Sequence, residues 1–366
     1  MQKILINGLQ LGDHNTGVQY YTQNLYHEFM RRNKDDFDFQ LMRSPVTGFR
    51  SLKLNRFKRI LFENISLPAY FRKHYFDLYH SPNYVLPFFA DIPSVLTIHD
   101  LLTLDHPELC QNESVLYFKM FLPPSVKKAI RIIAVSNTVK KDILRHFNLP
   151  EDKIKVIYHG VNPIFKRSRD GAILKKHHLP EKYILFVGNL EPKKNLERLI
   201  RAFDLLKKNT DIPHKLVIAG KKGWKFQSVF DTVAGLKMNN EVIFTGYVPL
   251  EDLPVIYSMA DLFAFPSLYE GFGIPPMEAM ACEVPVLVSD QGALPEITGG
   301  ACLQVDPFDM NGIALGMHQL LTDDHMRNKS VMDGREWASR FTWENAAKET
   351  LSVYEQTINE SRHSSV

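Results

Sequence analysis

The chain has 366 residues, of which 45% are hydrophobic and 23% are charged, with 44 Lys and Arg against 41 Asp and Glu. This composition excludes a disordered chain, a collagen-like repeat and a coiled coil. The length favours two domains, because single cores rarely grow beyond about 250–300 residues. The net charge of +3 is too small to indicate nucleic-acid binding.

The chain has 3 cysteines, Cys110, Cys282 and Cys302, too widely spaced for a disulfide framework or a CxxC metal site. Their spacing favours a reducing compartment. No apolar run is long enough for a membrane span, and the first residues lack the features of a signal peptide. We therefore expect a cytoplasmic protein, with possible contact to the inner face of the membrane.

Short apolar runs alternate with amphipathic stretches along the whole chain. Near-continuous runs such as residues 183–187 and 284–288 are typical of parallel strands covered on both faces. A stripe of apolar residues from Leu196 to Leu206 predicts a helix. The alternation predicts an α/β protein with two doubly wound domains. The predicted strands are 3–7, 77–80, 93–98, 131–135, 154–158, 183–188, 215–219, 241–245, 261–265 and 284–288.

The domain boundary is predicted within residues 162–182. Asn162 and Pro163 form a turn signal, and residues 166–178 are polar and carry no apolar stripe. A final helix is predicted from Trp343 to about Glu360, with Thr342 as its N-cap.

A basic stretch at residues 50–59 carries five Lys and Arg and no acidic residue, with Phe57, Leu61 and Phe62 interleaved. One interpretation is a patch, residues 50–62, that attracts anionic lipid headgroups. The alternative is an ordinary solvated basic surface.

Two polar features follow predicted strands in the first half. The segment from Gly12 to Gly17 is a glycine-bearing turn before a helix, although it matches neither a Walker loop nor GxGxxG. His99 stands at the carboxyl end of a strand, the edge where open α/β sheets bind ligands. It is a candidate to donate a hydrogen bond to a sugar or phosphate, with Asp100 either orienting it or capping a turn. A structural histidine is the alternative.

Two lysines stand where a helix begins in the second half. Cations are unfavourable at a helix N-terminus, so Lys193 and Lys194 suggest an anion bound at this position. The alternative is two solvated side chains.

The segment from Ser267 to Asp290 is the most informative. Glycines before a Pro-Pro helix start leave backbone N–H groups from Gly271 to Ile274 facing a possible anion. Glu270 in the loop and Glu278 in the first helical turn could both accept hydrogen bonds from one ligand. The alternative is that Glu278 serves the helix dipole and Glu270 is solvated. Histidine and acid spacings indicate no metal site.

These residues together resemble a known family. The Glu270-x7-Glu278 pattern resembles the signature of retaining glycosyltransferases of family 4, which have the GT-B fold. The resemblance covers nearly the whole chain, in the family's order, through further segments: IHDL (98–101), AVSN (134–137), VIYHGVN (156–162), VGNLEPKKN (187–195), FTGYV (244–248) and FTWENAAKETL (341–351).

The resemblance implies two Rossmann-like domains facing across a cleft. Residues 1–165 would bind the acceptor, residues 166–342 would bind the nucleotide sugar, and the helix in residues 343–366 would return to the first domain. The donor is a nucleotide-diphospho-sugar, and no metal ion or other cofactor is expected.

Site roles follow from the same resemblance. Glu270, His99 and Lys194 would be catalytic, with Glu270 on the sugar hydroxyls, His99 on the donor sugar and Lys194 on the diphosphate. Glu278 would bind the ribose. Many members carry Arg where this chain has Asn189, and Lys193 is the candidate to replace that charge. The remaining predicted donor-binding residues are Gly17, Tyr247, Val248, Gly271, Phe272, Gly273 and Ile274, with Tyr247 and Val248 near the base.

The LEPKKN and HGVN variants most resemble mannosyltransferases that build bacterial surface polysaccharides such as lipopolysaccharide. They imply a GDP-mannose donor and a glycan or lipid-linked acceptor. Alternatives are a UDP- or ADP-sugar donor, a catalytically silent GT-B paralogue, an epimerase or a sucrose- or trehalose-type synthase. A dinucleotide oxidoreductase is disfavoured because GxGxxG is absent.

Overall fold

The computed structural model describes residues 1–11, 17–32, 36–42 and 62–363. The chain divides into two compact units. Unit 1 comprises Met1–Pro107, Asn112–Gly160 and Trp343–Val366, and unit 2 comprises Glu108–Gln111 and Val161–Thr342. The greater part of the glycine turn (residues 12–16) and of the basic patch (residues 50–61) lies outside the described residues.

Unit 1 is built on a parallel sheet of six described strands in the order β2-β1-β3-β4-β5-β6. Every residue of β3 and β4 is buried, as expected for strands covered on both faces. The strands are β1 (Gln2–Asn7), β2 (Phe37–Met42), β3 (Leu78–Ser81), β4 (Ser94–Ile98), β5 (Arg131–Ala134) and β6 (Ile154–Val156).

The described helices of unit 1 follow in chain order. They are α1 (Gly17–Arg32), α2 (Leu67–Lys73), α3 (Leu102–Asp105), α4 (Asn112–Lys128), α5 (Asn137–His146) and the C-terminal helix, α14 (Trp343–His363). A short π-helix spans Phe62–Ser66, and one-turn 3₁₀ helices span Pro107–Leu109 and Glu151–Lys153.

The C-terminal helix α14 belongs to unit 1, as the predicted fold class requires. It contacts α1 and strands β3, β4 and β5. It buries Trp343, Val353, Tyr354 and Ile358 along one side and extends to His363, beyond the predicted end near Glu360. No helix among the described residues is long and apolar enough to cross a membrane.

Unit 2 contains a second parallel sheet of six described strands, in the order β12-β11-β10-β7-β8-β9. The core strands β10 and β11 are buried at every residue. The strands are β7 (Tyr183–Val187), β8 (Lys215–Ala219), β9 (Val242–Gly246), β10 (Leu262–Phe265), β11 (Val286–Ser289) and β12 (Leu303–Val305).

The helices of unit 2 begin inside the predicted boundary segment, where Asp170 caps a short helix by accepting from the backbone N–H of Ala172. They are α6 (Gly171–Lys176), α7 (Leu196–Asn209), α8 (Gln227–Gly235), α9 (Leu253–Ser258), α10 (Ile274–Ala281), α11 (Leu294–Thr298), α12 (Met310–Thr322) and α13 (Asp324–Ala338). A one-turn 3₁₀ helix spans Pro192–Lys194.

All ten predicted strands are confirmed within a few residues. Two strands were missed, and both are edge strands: β2 beside β1 and β12 beside β11. The β2 strand alternates buried and partly exposed residues, and β12 has only 3 residues. Neither therefore carries the continuous apolar run by which the central strands were recognised.

Candidate active site

In unit 2, one buried carboxylate is held between two ammonium groups. The carboxylate is that of Glu270, whose side chain is 9% exposed. Lys194 donates from Nζ to Oε1 of Glu270 at 2.6 Å, and Nζ of Lys193 lies 3.7 Å from Oε2. The two lysine side chains are themselves only 11% and 18% exposed. The structure thus brings Lys194 into contact with a carboxylate that lies 76 positions further along the sequence.

The backbone explains how these residues meet. Lys194 follows β7 and Glu270 follows β10, and the two strands are adjacent in the sheet. The backbone N–H of Leu268 donates to the carbonyl of Lys193 at 2.8 Å, which joins the two loops directly. The ammonium of Lys194 also lies 4.8 Å from the centre of the Phe265 ring. A cation–π contact of this kind restricts where the ammonium can point.

The charge balance of this cluster favours an ionised carboxylate. Burial by itself would raise the pKa of Glu270, but the ammonium groups of Lys194 and then Lys193 outweigh it and hold the pKa below its usual range. At neutral pH the cluster therefore carries one negative and two positive charges. The excess positive charge is suited to an incoming anion.

The loop around Glu270 depends on a glycine that the sequence analysis did not single out. Gly292 has φ +62°, and a Cβ at this position would lie 2.7 Å from the carbonyl oxygen of Glu270 and 2.9 Å from its nitrogen. The next residue, Ala293, donates its N–H to that carbonyl at 2.9 Å. The signal was an Asp-Gln-Gly turn after a strand, which is common in proteins and does not point to Glu270.

Helix α10 begins as predicted, with Pro275 and Pro276 in its first turn and Gly273 as N-cap at φ +101°. A Cβ on Gly273 would meet the Leu294 side chain at 2.6 Å, and the positive φ by itself favours glycine here. The prolines remove two N–H groups from the helix start. The N–H groups of Gly273 and Ile274 remain available there to an anion.

Glu278 lies in the second turn of α10, so its predicted place in the first turn was wrong. Its carboxylate is buried, and Oε2 accepts a hydrogen bond from the hydroxyl of Tyr257 at 3.0 Å. Of the other residues in the predicted donor loop, Gly271 and Phe272 are also buried. The Phe272 ring packs edge-on against Phe341 at 6.2 Å between centroids.

Asn189 stands apart from the Glu270 cluster. Its side-chain amide is exposed and donates to Glu191 within the same loop at 3.4 Å. Lys193, the residue predicted to replace the missing Arg charge, lies beside Glu270. Two further predicted residues follow β9: Val248 is buried, whereas Tyr247 is 51% exposed.

In unit 1, His99 lies at the carboxyl end of β4 among aromatic rings. Its Nε2 is 2.9 Å from the carbonyl of Pro82, and its ring contacts Tyr21 edge-on at 4.9 Å. A carbonyl only accepts, so Nε2 carries the proton. Burial lowers the pKa of His99 to about 4, so the ring is neutral near pH 7 and Nδ1 accepts. The geometry thus favours accepting a hydrogen bond from a sugar hydroxyl over donating one to a phosphate.

Of the two roles predicted for Asp100, the structure shows the cap. Its Oδ1 accepts from the backbone N–H of Leu102 at 3.2 Å. Gly17, the only described residue of the glycine turn, is the first residue of α1. A Cβ on Gly17 would have no atom within 4 Å, so packing does not require a glycine there.

Beneath His99 runs a buried hydrogen-bond network that the sequence analysis missed. The Nδ1 of His80 contacts the hydroxyl of Tyr354 at 2.6 Å, and its Nε2 contacts the hydroxyl of Thr97 at 2.8 Å. The Thr97 hydroxyl lies 3.2 Å from that of Tyr21, whose ring packs on His99. Burial, and then the neighbouring His99, lowers the pKa of His80 to about 3. The network ties α14 and α1 to the strand that carries His99.

No group of three or more His, Cys, Asp and Glu in the described part of the chain is placed to hold a metal ion. Of the adjacent histidines His177 and His178, the first pairs with a carboxylate. His177 bonds through Nε2 to Asp252 at 2.7 Å, and Lys176 joins the same carboxylate oxygen at 2.7 Å.

Comparison with known proteins places this geometry in a family. Residues 16–165 match the model of "Glycosyltransferase Family 4", and residues 172–337 match that of "Glycosyl transferases group 1". The chain is 35% identical over 281 residues to "O-antigen chain mannosyltransferase B" of Escherichia coli, covering 76% of this chain and 74% of that one. The chain belongs to glycosyltransferase family 4.

A second relative and a solved structure agree with this assignment. The "serotype-specific mannosyltransferase WbdA" of Escherichia coli is 28% identical over 294 residues, covering 77% of this chain and 36% of that longer one. A sucrose-phosphate synthase from Thermosynechococcus elongatus superposes with a TM-score of 0.78 over 98% of this chain and 100% of that one, at 22% identity. The two parallel sheets are therefore those of the GT-B fold, and the protein is a glycosyltransferase.

Proposed function

We propose that this glycosyltransferase moves mannose from GDP-mannose, with retention at the anomeric carbon, to a glycan or lipid-linked acceptor in bacterial surface polysaccharide synthesis. The observation that carries the proposal is the Glu270 cluster: one ionised carboxylate with two ammonium groups at the carboxyl edge of a parallel sheet. The mannosyltransferases named above support the choice of sugar.

The proposed chemistry follows from the charges in the cluster. As the bond between the anomeric carbon and the phosphate oxygen breaks, the leaving GDP takes the electron pair and gains negative charge. Lys194 and Lys193 are placed to stabilise that charge, usually the largest catalytic contribution. An oxocarbenium-like transition state leaves positive charge on the sugar. The acceptor hydroxyl oxygen then bonds to the anomeric carbon on the face that the diphosphate leaves, and the hydroxyl proton passes to the departing diphosphate oxygen.

Glu270 acts in this proposal by accepting hydrogen bonds from mannose hydroxyls, not as a nucleophile. Glu278 binds the ribose, and the backbone N–H groups of Gly273 and Ile274 meet the diphosphate. In unit 1, His99 accepts from a further hydroxyl of the donor sugar through Nδ1. Each role uses a group whose hydrogen-bonding capacity matches its partner.

The two lysines make a metal ion unnecessary in this proposal, because they supply two positive charges for the diphosphate. Turnover should therefore be unchanged by EDTA. A turnover lost in EDTA and restored by Mg²⁺ or Mn²⁺ would contradict this part of the proposal.

We also propose that residues 50–62 contact an anionic membrane, because a lipid-linked acceptor would lie at the membrane surface. The test is sedimentation with phosphatidylglycerol vesicles. The triple variant Arg56→Ser, Lys58→Ser and Arg59→Ser should lose binding. Binding that is absent in the native protein, or equal in the variant, removes this contact.

The experiment for the main proposal is GDP release from GDP-mannose with and without a mannosylated acceptor, with NMR of the product's anomeric proton. Acceptor-dependent release and an α product from the α donor are expected. Release from a UDP- or ADP-sugar instead would replace the donor. An epimerised nucleotide sugar formed without acceptor and without net GDP release would indicate an epimerase, and no turnover with any donor would favour a silent paralogue.

A further inference from the structure

The loops that follow β8 and β9 lie beside the Glu270 cluster along the same sheet edge. In the strand order, β7 stands between β10 and β8, and β9 lies beyond β8. The N–H of Leu190 donates to the carbonyl of Lys221 at 2.9 Å, and the N–H of Gly220 donates to that of Gly246 at 2.9 Å. Neighbouring strands are about 4.8 Å apart, so Lys221 begins one strand away from the loop of Lys193 and Lys194.

Lys221 and Tyr247 form a cation–π pair at this edge. The Lys221 ammonium lies 4.2 Å from the centre of the Tyr247 ring. The ring is 51% exposed, although large aromatic side chains are usually buried. The loop before Lys221 is close-packed, since a Cβ on Gly220 would lie 1.9 Å from the carbonyl oxygen of Gly188. The exposed Tyr247 ring and the Lys221 ammonium thus belong to loops whose backbone is held by packing.

In the proposed function, a nucleoside diphosphate with its phosphates at Lys193 and Lys194 would place its base beside the loops after β8 and β9, where the resemblance puts Tyr247 and Val248 near the base. An ammonium group held over an aromatic ring keeps hydrogens that it can donate to acceptors on the edge of a base beside it. Guanine presents two adjacent acceptors, O6 and N7. Adenine replaces O6 with an amino donor, and uracil presents a single carbonyl on that edge.

We propose that Lys221, positioned on the ring of Tyr247, selects guanine as the base of the donor. This inference rests on the proposed function and assigns its donor specificity to a side chain outside the Glu270 cluster. The adjacent Lys222 serves as the matched control residue. Its ammonium lies over other rings, 5.2 Å from the centre of Phe226 and 5.1 Å from that of Phe230.

The test measures calorimetric dissociation constants of GDP, UDP and ADP for the native protein, Lys221→Met and Lys222→Met. The native protein should prefer GDP. Lys221→Met should weaken GDP binding by about tenfold, with UDP and ADP changed less than about twofold. Lys222→Met should leave all three constants unchanged. Tyr247→Leu should weaken GDP binding too, and its melting temperature checks that it folds.

Each of the other outcomes overturns a specific part of this proposal. If Lys221→Met weakens all three nucleotides equally, Lys221 binds phosphate and does not read the base. If it changes none, or if Lys222→Met has the same effect, the assignment of Lys221 fails. If the native protein binds GDP no better than UDP or ADP, the GDP-mannose donor itself fails, whatever the variants do.

Discussion

The two units place different chemistry at the carboxyl ends of their strands. In unit 2, Glu270 and its lysines form a cluster of charges, which offset one another only in part. In unit 1, His99 and His80 are buried and neutral, and hydroxyl and carbonyl groups are their partners. Burial is common to both regions, but only the first contains opposite charges that keep its groups ionised.

This difference in charge decides which ligands each unit suits. A site with surplus positive charge suits a diphosphate, whose negative charge grows as it leaves. A neutral histidine that accepts suits a sugar hydroxyl and adds no positive charge. In the proposed function, the charged cluster of unit 2 therefore stabilises the leaving diphosphate, and His99 accepts from a sugar hydroxyl.

The largest expected effect comes from Glu270→Gln. Turnover should fall by two or more orders of magnitude, because an amide is a weaker acceptor for sugar hydroxyls. GDP should bind at least as tightly as in the native protein, because Lys193 and Lys194 lose their compensating charge. Steady-state kinetics and calorimetry separate the two effects. Native turnover in Glu270→Gln would remove this residue from the chemistry.

The next effect is that of Lys194→Met, which keeps the apolar stem and removes the charge. GDP binding should weaken by about 1.5–3 kcal/mol, the range for a hydrogen bond to a charged group. Lys208→Met is the matched control, since Lys208 lies on α7 and pairs with Asp204 at the surface. Equal GDP affinity in Lys194→Met and the native protein would place the anion site elsewhere.

A smaller effect is expected from Gly292→Ala, which tests whether the backbone around Glu270 must be so closely packed. The added Cβ should displace Glu270 and lower turnover by roughly tenfold, as misplacement of a positioning group does. Gly300→Ala is the control: its φ is also positive, +77°, but nothing lies within 4 Å of its Cβ position. Both variants should lose stability, and only Gly292→Ala should lose activity. Equal activity losses would attribute the effect to backbone strain alone.

The smallest effect is a pH dependence from unit 1. The pKa of His99 is lowered to about 4, so between pH 6.5 and 4 the unfolded chain binds a proton that the folded chain does not. Stability therefore falls on acidification, by up to about 1.4 kcal/mol per pH unit for each such histidine.

His99→Gln keeps a donor for the Pro82 carbonyl and removes the titration. Urea unfolding at pH 6.5 and 5.0 should show that the free energy of unfolding falls less for this variant than for the native protein. His27→Gln, at an exposed position on α1, serves as the control. The account of a neutral His99 fails if His99→Gln and His27→Gln lose stability to the same extent as the native protein.

Much of the fold could be predicted, because central parallel strands carry continuous apolar runs that the edge strands β2 and β12 lack. Lys193 and Lys194 could also be singled out, because cations are unfavourable at a helix start, and Glu270 because it precedes the glycines and the Pro-Pro helix start of the Glu270-x7-Glu278 pattern. Their contact could not, because it depends on β7 and β10 being neighbours. The partners of His80 and the close approach of Gly292 to Glu270 likewise arise from packing between distant segments.

A crystal structure of the protein with GDP-mannose bound would test the proposed site most directly. We expect the diphosphate on Lys194 and Lys193, with mannose hydroxyls donating to Glu270. A complex in which the diphosphate lies away from both lysines, with the Glu270–Lys194 ion pair undisturbed and no sugar contact, would contradict this expectation.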